Sequence, residues 1–182
     1  MPERTPFEEL VLPHLNAAYN LARWLARNPQ DAQDVVQDAC LRALKHLHGL
    51  RGADARPWFL TIVRHAFYDW RKRNAPADAP ADDALDPDSI ADPAALDPEQ
   101  VLQRSTEARL LAQAVGALPL ALREVLILRE FEDLSYKQIA AVAGVPLGTV
   151  MSRLSRARAL LQSSAPLRAA RDGSSEVHHG MQ

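Results

Sequence analysis

The chain has 182 residues, 47% of them hydrophobic and 24% charged, which are ordinary values for a soluble globular protein. Its formal net charge of −2 argues at first against a nucleic-acid partner. Its single cysteine, Cys40, excludes an internal disulfide and a cysteine-based metal site. The N-terminus lacks the basic and then apolar run of a signal peptide, and no apolar stretch approaches ~18 residues. We therefore expect a cytoplasmic protein without membrane insertion.

Residues 1–74 predict a first domain of three helices. The first covers 7–26 around Pro13, the second 31–47, and the third 56–74, ending in Arg71, Lys72 and Arg73. Apolar residues at helical spacing predict one buried face on the second helix: Val35, Val36, Ala39, Ala43 and Leu47. The inward face predicted for the third consists of Ile62, Val63, Ala66, Phe67 and Trp70.

The next segment, 75–98, is predicted to be a flexible linker. It holds five of the 13 prolines, which remove backbone donors and disfavour helix at the residues before them. Between Asn74 and Gln103 there are eight acidic residues and no Lys or Arg, so the rest of the chain has 21 basic against 15 acidic residues. The average charge therefore hides a basic protein that carries an acidic Pro/Ala/Asp linker.

Residues 99–165 predict a second helical domain, followed by a disordered tail over 166–182. Pro98 is suited to a helix start, and a further helix begins at Pro119 with a core stripe of Leu122, Val125 and Leu126. Ser135 and Gln138 have the spacing of a capping box, which predicts a helix from Tyr136. The whole chain is expected to be all-α, with two small helical domains on either side of the linker.

The last two helices have the pattern of a helix-turn-helix. Gly144 and Pro146 end the first of them, and the second begins near Leu147. Val150, Leu154, Ala157 and Leu161 recur at core spacing. The opposite stripe is Thr149, Ser152, Arg153 and Arg156. Arg158 points elsewhere and is expected to bind a DNA phosphate. Arg can form two bonds to a guanine edge, so this stripe suits the major groove, although a solvated basic surface would look similar.

No catalytic pattern accompanies these helices. The sequence has no Gly-rich phosphate loop, no Cys/His pair and no zinc-ligand spacing. His178 and His179 lie in the predicted tail, where a solvated surface is the simpler interpretation. We expect neither an enzyme nor a bound cofactor or metal.

Four segments together resemble the extracytoplasmic-function branch of the bacterial RNA polymerase sigma factors. They are DAQDVVQDACLRALKHL, RPWFLTIVRHAFYDWRKRN, LPLALREVLILREFEDLSYKQIA and GVPLGTVMSRLSRARALL, in family order and spacing. The resemblance implies an alternative sigma factor that binds core RNA polymerase and promoter DNA. It also implies an anti-sigma factor as a partner, although no residue identifies one.

The resemblance further implies roles for individual residues. Docking on core polymerase would use Asp34, Gln37 and Asp38, which share a polar face opposite the apolar stripe, although helix-capping acids would also lie there. The −10 element would be read and opened by Arg64, His65, Asp69, Arg71, Lys72 and Arg73. His65 departs from the family, which often has Asn there. The −35 element would be read by Thr149, Ser152, Arg153, Arg156 and Arg158.

Two other functions fit parts of this sequence. A stand-alone helix-turn-helix regulator would explain the C-terminal half but not the polar docking face or the basic third helix. A sigma-like mimic that sequesters an anti-sigma factor would have no need for Arg153, Arg156 and the cluster at 71–73. Binding to DNA without polymerase would distinguish the regulator from the sigma factor.

Overall fold

The computed structural model describes residues 5–50, 54–74 and 98–164, with side chains from 106 onward in the last range. All regular structure in these ranges is helical. The α-helices there are α1 (Pro6–Leu10), α2 (Leu15–Ala26), α3 (Pro29–His46), α4 (Ala55–Asn74), α5 (Pro98–Gly116), α6 (Leu120–Glu130), α7 (Tyr136–Ala143) and α8 (Leu147–Ser163). None of the helices in the described ranges is both long and apolar enough to cross a bilayer. The all-α prediction is confirmed for this part of the chain.

The predicted first helix is divided into three elements, which corrects the single helix expected over 7–26. A 3₁₀ turn at Leu12–His14 separates α1 from α2. Pro13 lies within this turn. Because proline lacks an N–H and its ring clashes with the preceding turn, an α-helix does not continue through it.

Helix α3 agrees with its predicted pattern. Asn28 caps its N-terminus, where the side-chain oxygen accepts hydrogen bonds from the backbone N–H groups of Gln30 and Asp31 at 2.8 and 3.2 Å. The buried residues of α3 are Ala32, Val35, Ala39 and Ala43. Val36, Cys40 and Leu47 are partly buried against the same core. The small side chains of Ala32, Ala39 and Ala43 allow α3 to pack closely on α2 and α4.

Helix α4 is buried on a wider surface than the predicted stripe. Its fully buried large residues include Phe59, Leu60, Val63 and Phe67, and Ala66 joins them. Ile62 and Trp70, which were expected to face inward, are only partly buried. The reason is that α4 packs on α2 and α3 on one side and on α7 on the other. A single helical stripe does not predict contacts with two neighbouring layers.

In the C-terminal half, α6 is the central helix. Pro119 precedes it as the N-cap residue, and the predicted core residues Leu122, Val125 and Leu126 are buried. Two charged residues, Arg123 and Glu124, are buried with them. Arg123 donates a hydrogen bond from Nη1 to the carbonyl oxygen of Gly116 at 2.7 Å, which satisfies the end of α5.

The two halves pack against each other and share one hydrophobic core. Helix α2 contacts α6, and α4 contacts α7. At this seam the rings of Trp24 and Phe131 lie with their centroids 5.6 Å apart. The predicted linker at 75–98, apart from Pro98, and the predicted tail at 166–182 lie outside the described residues.

Candidate nucleic-acid interface

The ends of the two helices of the helix-turn-helix, α7 and α8, are set by residues close to them in the sequence. Ser135 accepts from the backbone N–H of Gln138 at 3.2 Å, and the Gln138 side chain accepts from the Ser135 N–H at 2.9 Å. This capping box starts α7 where it was predicted. Gly144 ends α7 with φ of 65°, a left-handed conformation that glycine adopts without strain. Pro146 then caps α8, which begins at Leu147.

Helix α8 has a buried side and a polar side. Val150, Leu154 and Ala157 are buried and fix the helix on the core. On the other side, Ser152 and Arg156 are exposed, whereas Thr149 and Arg153 are half-buried. The hydroxyl of Ser152 donates to the Thr149 carbonyl oxygen at 3.1 Å. The arrangement therefore presents a hydroxyl and a guanidinium along one face, which is the chemistry of a major-groove helix.

Arg158 lies apart from this face. It donates from Nη2 to Glu130 Oε1 at 2.6 Å, and both side chains are about half exposed. The hydrogen bond to Glu130 raises the pKa of Arg158 above its usual value. This arginine would have to leave Glu130 in order to hold a DNA phosphate.

The predicted −10 residues on α4 are in several different environments. His65, Lys72 and Arg73 are exposed, and Arg71 is half-buried. Arg64 is different, because its Nε donates to Oε1 of the buried Glu124 on α6. Its guanidinium also lies over the ring of Tyr68, 4.5 Å from the centroid. One predicted DNA contact is therefore occupied by the other half of the chain.

Glu124 is nearly inaccessible, with a side-chain exposure of 1%. Burial raises its pKa, and the charge and hydrogen bond of Arg64 act in the opposite direction. Its second oxygen, Oε2, lies 3.4 Å from the Tyr68 hydroxyl. Charged carboxylates at such depth require compensation, and Arg64 supplies it.

The predicted polymerase-docking residues lie on the outer face of α3. Asp34 and Gln37 are exposed, and Asp38 is half-buried. Asp38 Oδ2 forms an ion pair with Arg42 Nη2 at 2.8 Å, and Nη1 of the same arginine donates a hydrogen bond to Asp69 Oδ2 at 2.7 Å. The bond to Arg42 holds the pKa of Asp69 below its usual range. Arg42 thus connects α3 to α4.

Three residues of this region were missed in the sequence: Arg42, Glu124 and Glu132. Arg42 lies four residues after Asp38, a spacing that predicts an ion pair on a helix, so a signal was present. Glu124 and Glu132 had no such signal, because their partners are 60 and 76 positions away along the chain. No group of three or more His, Cys, Asp or Glu side chains within the described ranges could hold a metal ion.

Two helical modules, one with a basic helix and one with a helix-turn-helix, define a class of DNA-engaging protein. Comparisons with known proteins place the chain within that class. The model described as Sigma-70 region 2 matches residues 10–76, and the model described as Sigma-70, region 4 matches residues 108–161.

Individual sigma factors are similar to this chain across both matched regions. RNA polymerase sigma factor YlaC of Bacillus subtilis is 30% identical over 165 residues, covering 90% of this chain and 94% of YlaC. ECF RNA polymerase sigma factor SigE of Mycolicibacterium smegmatis is 31% identical over 163 residues, or 86% of this chain, but this match spans only 60% of SigE. The sigma factor RpoE of Bartonella quintana, solved in complex with the anti-sigma factor NepR, has a TM-score of 0.69 at 28% identity, covering 89% of this chain and 96% of RpoE. The chain belongs to the extracytoplasmic-function family of RNA polymerase sigma factors, and it is an alternative sigma factor.

Proposed function

We propose that the protein binds core RNA polymerase and directs it to promoters with a −10 and a −35 element. The observation that carries this proposal is the order of two matched regions on one chain, each with a polar helix face on its outside. A regulator built on the helix-turn-helix alone would need only the second region. In the proposed function the polymerase makes the RNA, and this protein, acting in the cytoplasm, catalyses no reaction.

The N-terminal half, over 1–74, would provide docking and strand opening. Asp34, Gln37 and Asp38 form a polar and acidic patch on α3, which suits a complementary surface on the polymerase. Helix α4 would then lie at the −10 element, with its basic end near phosphates and its polar side at unstacked bases. This assignment gives roles to Arg64, His65, Asp69, Arg71, Lys72 and Arg73.

His65 sets the base preference in this proposal. It is exposed on α4 and stands where the family often has Asn. An amide presents a donor and an acceptor together, whereas a neutral imidazole presents them on opposite sides of its ring. The preferred base at this position should therefore differ from that of relatives with Asn.

The C-terminal half, over 99–165, would read the −35 element. Ser152 and Arg156 are exposed and would contact base edges, with the half-buried Thr149 and Arg153 beside them. Arg158 would bind phosphate after release from Glu130. The linker over 75–98 would tether the two readers. Full extension of ~25 residues reaches ~85 Å, which exceeds two turns of DNA.

An anti-sigma factor is the further partner that we propose. Its support is the similarity to RpoE of Bartonella quintana, whose structure contains NepR. In this proposal, an anti-sigma factor bound to this chain would keep it from binding polymerase.

Reconstituted transcription tests the proposed function. Purified protein and core polymerase on native genomic DNA should give transcripts whose mapped starts share two upstream elements, whereas polymerase alone should not. Asp34→Lys should reduce capture of polymerase and the transcript yield together. The matched control is Glu9→Lys, the same charge change on the exposed side of α1. Specific DNA binding without polymerase, and no transcripts with it, would support the regulator instead.

A further inference from the structure

Arg42 joins the outer faces of α3 and α4. Its Nη1 donates to Asp69 Oδ2 on α4 at 2.7 Å, and its Nη2 forms an ion pair with Asp38 Oδ2, one turn earlier on α3, at 2.8 Å. One guanidinium thus bridges two carboxylates that belong to different proposed contacts, Asp38 to polymerase and Asp69 to the −10 element. Arg42 itself is assigned to neither.

The bridge decides which part of Asp38 is available to a partner. Oδ2 of Asp38 is buried and accepts no hydrogen bond from the described residues, so it is held by charge alone. The side chain as a whole is nevertheless 35% exposed. The exposed part therefore excludes Oδ2, and Oδ1 is the oxygen left for polymerase.

Arg73, at the basic end of α4, lies beside the same carboxylate. Its Nη2 is 3.9 Å from Asp38 Oδ2, at the outer limit of an ion pair, and its side chain is 64% exposed. Removing Arg42 would leave Arg73 as the cation beside Asp38, and the two would be drawn together. That pair would occupy a proposed docking carboxylate and a proposed phosphate contact at once.

These ion pairs contribute little to the stability of the fold. The side chains of Arg42 and Asp38 are about one-third exposed and that of Asp69 about half, so water and salt screen their charges. Their geometry is specific, however, because a planar guanidinium offers several donors in a fixed fork, whereas a lysine ammonium is a point charge. The bridge therefore fixes the positions of two carboxylates more than it holds the two helices together.

We propose that Arg42 is a positioning residue of this sigma factor, which turns the free oxygen of Asp38 outwards and fixes Asp69 on α4. As a result, Arg73 stays available for a DNA phosphate. The proposal rests on the proposed function and deepens it, since Arg42 acts through residues assigned to polymerase and to the −10 element. The hydrogen bond from Arg42 also lowers the pKa of Asp69, which keeps this carboxylate charged and paired.

Two substitutions of Arg42 test the proposal in the full-length protein. Capture of core polymerase is followed by the anisotropy of protein labelled with fluorescein at its N-terminus. Promoter opening is followed by the permanganate reactivity of unpaired thymines, on a promoter mapped in the reconstituted transcription. Arg42→Ala should weaken capture and reduce opening by about 10- to 100-fold, the cost of a misplacement of ~1 Å. Lys45→Ala, which removes an exposed cation from the same helix, is the matched control and should change neither.

Arg42→Lys separates the bridge from its charge. A lysine keeps the positive charge and can pair with one carboxylate, but it lacks the fork that reaches both, so promoter opening should stay at least about threefold below that of the wild type. Circular dichroism checks that the helices are retained, and this variant decides the question if Arg42→Ala unfolds. Full opening by folded Arg42→Lys would overturn the proposal, because charge alone would then suffice.

Double variants separate positioning from a direct contact by Arg42. If Arg42 acts through the carboxylates, Arg42→Ala should have no further effect on polymerase capture in an Asp38→Asn protein. Its effect on promoter opening should likewise be smaller in an Asp69→Asn protein than in the wild type. Additive losses in both backgrounds would show that Arg42 itself contacts polymerase or DNA, which would overturn the proposal.

The wild-type protein in the same assays distinguishes failure of this proposal from failure of the proposed function. A wild-type protein that neither captures polymerase nor opens a promoter would refute the proposed function, and the positioning role with it. Normal capture and opening by both the wild type and Arg42→Ala would refute the positioning role alone.

Discussion

Helices α4 and α8, which we propose to read the two promoter elements, differ in what already occupies their polar side chains. On α4, Arg64 is bound to Glu124 and Asp69 is bound to Arg42. On α8, Arg156 is exposed and has no hydrogen bond or ion pair with any described residue. In the proposed function, Arg156 of α8 would therefore contact DNA without exchanging a protein partner, whereas Arg64 of α4 would first have to leave Glu124.

The largest expected effects come from the core that carries both helices. Leu60 of α4 and Leu154 of α8 are almost fully buried within one cluster. Leu60→Ala and Leu154→Ala should each lower the free energy of unfolding by about 2–5 kcal/mol, through lost burial and the cavity left behind. Because the halves share this core, both variants should shift the same transition in urea.

The positions of the three tryptophans allow the unfolding of the N-terminal half to be followed separately. Trp24, Trp58 and Trp70 all lie in the N-terminal half, so their fluorescence reports that half, whereas circular dichroism reports both. Leu154→Ala should move both signals together. The control is Leu44→Ala, 56% exposed, which should change stability by less than ~0.5 kcal/mol. A fluorescence transition unmoved by Leu154→Ala would show that the halves unfold independently.

The difference between α8 and α4 also explains which features could be predicted from the sequence. The turn before α8 was predictable because its signals are local: Ser135 with Gln138, and then Gly144. The buried surface of α4 was only partly predictable, since its neighbours come from both halves. Glu124 lies in a run of apolar residues, and nothing near it in the sequence indicates Arg64 as a partner. Periodicity shows which side of a helix is apolar, but not which distant helix covers it.

An intermediate effect, on DNA binding, is expected for a substitution on α8. Arg156→Ala should weaken binding of the polymerase complex to its −35 element by about 1–3 kcal/mol and relax the preference at one base pair, as for loss of a two-bonded base contact. Competition binding with single-base variants of the element measures both quantities. Arg109→Ala, the same charge loss at an exposed position of α5, is the matched control. An equal loss on every sequence would mean that Arg156 contacts only phosphate.

The smallest effect is a change in titration on α4. The hydrogen bond and charge of Arg42 hold the pKa of Asp69 below its usual range in the folded protein. A carboxyl group with a lowered folded pKa stabilises the fold above its ordinary pKa of about 4, and this contribution is lost as the pH falls through the lowered value. Arg42→Ala should therefore raise the pKa of Asp69 towards its ordinary value and reduce this pH-dependent contribution to stability. Lys45→Ala, which removes an exposed cation on the same helix, should leave the pKa of Asp69 unchanged. Carboxyl carbon chemical shifts followed by NMR during an acid titration measure the difference. An unchanged pKa in Arg42→Ala would mean that Asp69 is free in solution, and the contrast between an occupied α4 and an available α8 would then rest on Arg64 alone.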